Sequence, residues 1–126
     1  MTVLDASAVR ALVQDEPGAD VVQEALAGAL LSTVNLAEVV GKLVDADVDP
    51  RPLRPLLTAA GVVLTPLTPD DAELAGALRS VPGGQTLSLG DRCCLALALR
   101  SDPAVALTAD RAWVDLDLPL QVRLVR

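Results

Sequence analysis

The chain has 126 residues, 52% of them hydrophobic but only one aromatic, so it can bury the core of one ordinary domain built from Leu, Val and Ala rather than from rings. Ten basic against seventeen acidic residues leave a net charge of −7, which argues against an independent electrostatic grip on nucleic acid. Histidine is absent, which excludes a Ser-His-Asp triad and the commonest zinc ligand and leaves carboxylates for any site chemistry.

In chain order, the short apolar run Thr2–Leu4 reads as a strand that meets Asp5 and then a helical pattern through Ala8, Val9, Leu12 and Val13, ended near Pro17-Gly18. A second helix spans about Ala19–Ala27, and Leu30–Thr33 forms a second strand. Asn35 is expected to cap a long helix reaching about Ala46, with Leu36, Val39, Val40, Leu43 and Val44 as its apolar stripe. Asp47–Pro50 is a turn, Pro52–Ala60 a helix ended by Gly61, and Val62–Leu64 a third strand closed by Pro66.

Pro69-Asp70-Asp71 opens the next helix, since proline and acids both suit a helix amino terminus, and it runs to about Ser80. Pro82–Thr86 reads as a flexible surface loop. Ser88–Arg100 is a helix apolar on every face in its middle, hence central and buried. Ala104–Thr108 is a fourth strand, Ala112-Trp113 a short turn or helix, and Leu120–Val125 a closing strand. Strands alternating with helices imply an α/β fold with a mainly parallel sheet, whose carboxyl edge forms the ligand crevice.

The longest uninterrupted apolar run, Cys93–Leu99, falls far short of the roughly 20 residues that cross a bilayer. No export signal is visible, because Asp5 interrupts the amino-terminal apolar run at once. The adjacent Cys93 and Cys94 offer neither a disulfide framework nor a zinc spacing, and they are expected to be reduced core residues of a cytoplasmic protein.

Asp5, Glu38, Asp91 and Asp110 stand in segments otherwise poor in charge, each near the start of a helix or the end of a strand. Singly, each has an ordinary explanation as a helix cap, a turn starter or a solvated helix position. Together they would gather at one sheet edge, where two carboxylates about 4 Å apart repel by about 4 kcal/mol at an effective dielectric of about 20. A divalent cation relieves that repulsion, and an oxygen-only donor set selects Mg²⁺ or Mn²⁺ over Zn²⁺. Such an ion acidifies a bound water and stabilises charge on phosphoryl oxygen, which points to phosphodiester hydrolysis. Ser7 and Thr108 each lie two residues from an acid and are candidates to hold a carboxylate or a water, or simply to cap locally.

The segments Val3-Leu4-Asp5-Ala6-Ser7-Ala8, Asn35-Leu36-Ala37-Glu38-Val39, Leu87-Ser88-Leu89-Gly90-Asp91-Arg92 and Leu107-Thr108-Ala109-Asp110-Arg111-Ala112-Trp113, in this order, resemble a PIN-domain ribonuclease of the VapC toxin type. That resemblance covers essentially the whole chain as a single PIN domain, residues 1–126, and implies a three-layer α/β/α sandwich. It implies that Asp5, Glu38, Asp91 and Asp110 are the catalytic, metal-binding acids of an Mg²⁺- or Mn²⁺-dependent endoribonuclease acting on tRNA or rRNA, with Ser7 and Thr108 at hydroxyl positions. It also implies the toxin role in a type II toxin-antitoxin system, a homodimer, and a VapB-type antitoxin whose apolar segment packs among the early helices in a heterotetramer or larger complex.

Arg92 and Arg111 adjoin the acids and are candidates to hold flanking phosphates, while Asp115 is an extra acid outside the matched motifs. Two other readings compete. One is a non-catalytic binding module of the same fold with an acidic pocket. The other is a haloacid-dehalogenase-like phosphatase, which wants a second Asp where this chain has Ser7.

Overall fold

Successive side chains along a strand point to opposite faces of the sheet, and here that alternation divides the core in two. In the computed structural model, which describes residues 1–126, Leu4, Leu31 and Leu107 join one hydrophobic cluster and Val3, Leu30 and Ala106 the other. The five strands are β1 (Thr2–Leu4), β2 (Leu30–Ser32), β3 (Val63–Thr65), β4 (Val105–Thr108) and β5 (Gln121–Leu124), parallel throughout in the order β3-β2-β1-β4-β5. Val3 is in register with Leu30 on one side and Ala106 on the other.

Four helices, α1 (Ala6–Val13), α2 (Ala19–Ala25), α3 (Thr33–Asp45) and α4 (Leu53–Ala59), supply the first cluster. The second face is covered by α5 (Pro69–Ala77), α6 (Leu89–Leu99) and short 3-10 turns at Leu78–Ser80, Gly84–Thr86 and Arg111–Asp115. Helices on both faces of a parallel sheet complete the expected three-layer α/β/α sandwich. As its composition implied, α6 is buried from Arg92 to Ala98, with Cys93 and Cys94 both buried and free. No helix is long and apolar enough to cross a membrane.

Three expectations are corrected. The cap of α3 is Ser32, whose Oγ accepts a 3.2 Å hydrogen bond from the Val34 amide, and not Asn35, which lies wholly buried within the first turns. Val39 and Leu43 are buried in its stripe, but Val44 is 55% exposed, because the helix turns it away from the sheet. Pro82–Thr86 contains a 3-10 turn rather than a loose loop, and Gly84 is buried so close to the Leu78 carbonyl that no Cβ would fit.

The amino end of α5 is built as its sequence suggested and then tied further. Thr68 and Asp71 form a reciprocal capping box, and the Arg100 guanidinium donates to Asp71 from Nε at 2.6 Å and Nη2 at 3.0 Å. That bidentate pair fastens the start of α5 to the carboxyl end of α6. Trp113, the sole aromatic residue, is fully buried in the second cluster, with its indole nitrogen unpaired.

Candidate functional site

From β1 the sheet grows outward through β2 to β3, and the chain then crosses to β4 on the other side of β1. Connections on either side of such a switch point diverge, which opens a crevice beyond the carboxyl ends of β1 and β4. Asp5 follows β1 directly, Asp110 follows β4 after Ala109, Glu38 lies in α3 after β2, and Asp91 is in the first turn of α6. The structure brings all four together around a cavity of about 160 Å³, lined also by Ala6, Ser7, Arg10 and Lys42.

Asp5 is the most constrained of the four, only 3% exposed. Its Oδ2 accepts the Ser7 hydroxyl at 2.6 Å and the Thr108 hydroxyl at 2.9 Å. Those hydroxyls are themselves oriented by backbone amides leaving β4, Ala109 N–H donating to Ser7 Oγ at 2.9 Å and Asp110 N–H to Thr108 Oγ1 at 3.0 Å. The two hydroxyls therefore stitch β1 to the exit of β4 and aim one carboxylate oxygen of Asp5.

The other three acids follow the same rule. Asp91 completes a capping box with Ser88, its Oδ2 accepting from the Ser88 amide at 2.9 Å. Asp110 Oδ1 accepts from the Ala112 amide at 3.0 Å and starts the 3-10 turn. Glu38 Oε1 accepts from Asn35 Nδ2 at 2.7 Å. Capping thus accounts for one oxygen of Asp91 and of Asp110, but Glu38, Asp91 and Asp110 each keep a second oxygen that accepts no hydrogen bond from the protein.

Burial pushes the Asp5 carboxyl up from 3.8 to about 6, against the pull of the Ser7 and Thr108 hydroxyls, and the Asp91 charge adds to the rise. Burial also pushes the Cys94 thiol well above its ordinary value, with Asp5, Asp91 and Glu38 pushing in the same direction.

Two residues essential to this geometry escape a reading of the sequence. Asn35 is wholly buried, and its Nδ2 bonds both Glu38 and the Gly90 carbonyl, the latter at 3.0 Å, clamping α3 to α6. Gly90 lies directly against the Glu38 carboxylate, which fills the place a Cβ would take. The only signals in the sequence are an Asn one turn before the Glu and a Gly just before the Asp, and both suit ordinary helix starts equally well.

One of the two expected phosphate contacts is revised. Arg92 is 7% exposed and turns away from the cavity, donating from Nη1 to the Ala75 carbonyl of α5 at 2.8 Å. Arg111 and Asp115 are exposed in the 3-10 turn and do not line the cavity. The cations that do line it are Arg10 and Lys42.

An all-oxygen donor set of four carboxylates has the chemistry to fit a hard divalent cation. No three of these acids close on a single point as they stand. The cavity of about 160 Å³ leaves space for ordered water beside these oxygens.

A parallel α/β/α sandwich with an acidic crevice at its switch point is the architecture on which the family assignment rests, and the sequence agrees with it. The PIN domain model matches residues 2–118, and the chain belongs to the PIN-domain family. Among solved structures it is similar to a chain of the toxin-antitoxin complex from Klebsiella pneumoniae, with 19% identity over 96% of this chain and 99% of that one and a TM-score of 0.73. It is also similar to a chain of VapBC2 from Rickettsia felis bound to a DNA fragment from their promoter, with 15% identity over 98% of this chain and 97% of that one and a TM-score of 0.70. At these identities the likeness is one of fold. No curated protein matches the chain by sequence.

Proposed function

We propose that this PIN domain is a metal-dependent endoribonuclease of the VapC type, the toxin of a type II toxin-antitoxin pair. The observation that carries the reading is the gathering of Asp5, Glu38, Asp91 and Asp110 from four separated elements around one cavity. In this reading the four acids hold Mg²⁺ or Mn²⁺. The bound ion supplies charge neutralisation for phosphoryl oxygen and a water of lowered pKa. Ser7 and Thr108 fix Asp5, the Ser88 amide fixes Asp91 and Asn35 fixes Glu38, so the donors are oriented before substrate arrives. Where a phosphatase of the haloacid-dehalogenase kind has a second Asp, Ser7 donates to Asp5 instead, which leaves that reading without its acid.

An apolar groove supports the antitoxin part of the proposal. A cavity of about 500 Å³ runs between α1, α2, α3 and α4, and 9 of its 12 lining residues are hydrophobic, among them Leu12, Leu26, Leu53 and Leu56. Leu56 is 64% exposed and Val48 42%, a wasteful surface unless a partner's apolar segment covers it. The antitoxin segment, an RNA substrate of the tRNA or rRNA class and a homodimeric toxin complete the reading.

Purified protein incubated with total cellular RNA and Mn²⁺ or Mg²⁺ is expected to cut a small set of RNAs, with cutting abolished by chelator and by Asp5→Ala. Absence of cleavage of any cellular RNA under these conditions refutes the nuclease. RNA binding without cleavage would favour the non-catalytic binding module.

A further inference from the structure

Besides its acids the cavity is lined by two cations, Arg10 of α1 and Lys42 of α3. Each lies one helical turn beyond a residue already placed at the site, Arg10 three positions after Ser7 and Lys42 four after Glu38. Those spacings set side chains on one helix face about 5.4 Å apart. The same two residues line a second cavity of about 230 Å³, so the pair stands where the acidic cavity passes into a neighbouring surface depression.

Neither cation is consumed by the acids beside it. Lys42 stands at the spacing of a helical ion pair with Glu38, yet it makes no ion pair or hydrogen bond. Arg10 reaches only Glu16, at a long 3.8 Å, and its Nε is buried with no partner. In a chain of net charge −7, an unpaired Lys42 and an Arg10 held only by a long contact line the same acidic cavity, and together with Asp45 of the adjoining depression they leave room for an anion. A monovalent carboxylate ligand would be repelled by the four acids, whereas a polyanionic backbone can place one phosphate at the cations while the next enters the acidic end with its metal.

We propose that Arg10 and Lys42 grip a backbone phosphate of single-stranded RNA adjacent to the phosphate that enters the acidic cavity. The identity of the anion rests on the nuclease reading. The guanidinium supplies paired donors in a fixed plane and the ammonium a point charge, so the pair sets where along the strand the acidic cavity falls. It is a positioning device, separate from the acids that hold the reacting end.

The test is binding of a short fluorescein-labelled single-stranded RNA of mixed sequence, read by anisotropy in Mg²⁺ on an Asp5→Asn background that suppresses cleavage. Arg10→Gln with Lys42→Gln is expected to weaken binding about tenfold or more and to lower the slope of log K against log salt by about 0.7 per lost contact. Arg54→Gln with Arg79→Gln, which removes the same charge from exposed positions outside both cavities, is expected to leave both readouts unchanged. Lys42→Arg is expected to restore affinity, and Glu16→Gln to leave it intact.

Unchanged affinity and slope in the Arg10/Lys42 variant, an equal loss in the remote control, or no RNA binding at all would each overturn the proposal. The two readings fail separately. If the native protein cuts no RNA but binding depends on Arg10 and Lys42, the nuclease falls and the grip stands. If it cuts RNA and the Arg10/Lys42 variant retains its binding and its KM, the grip falls and the nuclease stands.

Discussion

Gly90→Ala separates what the acidic site needs from what the fold needs. The new Cβ would occupy the place of the Glu38 carboxylate, and since that is the far end of a flexible side chain, the glutamate gives way and α6 does not. Displacing it breaks the Asn35–Glu38 hydrogen bond, a charge-assisted contact of about 1.5–3 kcal/mol. Against that loss, alanine in place of glycine in a helix contributes up to about 1 kcal/mol. The net change in stability is therefore a loss of about 0.5–2 kcal/mol, small enough to leave the protein folded. Metal affinity should suffer more, because changing a group that orients a ligand typically costs about 10–100-fold. Urea denaturation and Mn²⁺ titration by calorimetry on the same preparation measure the two effects. An unchanged Mn²⁺ affinity in a folded Gly90→Ala protein would refute the claim that Glu38, held in this position, belongs to the metal site.

The folded-state pKa of Asp5, about 6, lies above its ordinary 3.8, so the native state holds this proton more tightly than the unfolded chain does. That contribution is full below about pH 4 and is lost as pH rises to about 6, a difference of order 1–3 kcal/mol, with no further change above. In chelator, Asp5→Asn should therefore be more stable than the native protein at pH 8, with the gap closing by pH 4, and Mn²⁺ should stabilise only the native protein; denaturant midpoints across pH decide it. For Asp71, burial alone would raise the carboxyl, but the Arg100 guanidinium and Thr68 hold it below its ordinary range. Asp71→Ala removes the cap and the pair and should cost about 2 kcal/mol, because Arg100 is half-exposed, and that cost should shrink as pH falls below about 4. Leu56→Glu changes an exposed groove residue, so stability should stay within about 0.5 kcal/mol while co-expressed cognate antitoxin no longer rescues growth; full rescue would remove the groove from the partner's footprint.

The order and kind of the elements were legible in the sequence because hydrophobic period, proline, glycine and capping residues act over one or two turns. Thr2–Leu4 before Asp5, Thr68 and Asp71 around Pro69, and the all-apolar middle of α6 carry that information locally. The four acids were legible for a related reason, since each stands out against an apolar segment and three of them, Asp5, Asp91 and Asp110, lie at the start of a helix or turn, with Glu38 within α3. Even so, Asn35 reads the same as a cap or as a clamp, and its partner Gly90 lies 55 residues away. Arg92 adjoins an acid in sequence, but a helix sends neighbouring side chains in different directions, and only the packing of α5 against α6 turned it to Ala75. Arg10 and Lys42, unremarked as site residues in sequence, reach the cavity because α1 and α3 both leave the carboxyl edge of the sheet beside the switch point. The sequence by itself determined which groups carry charge and where the chain bends. Which of those charges share a cavity was decided only by tertiary structure, because that depends on strand order and on the rotation of each helix against the sheet, and neither is a local property of the chain.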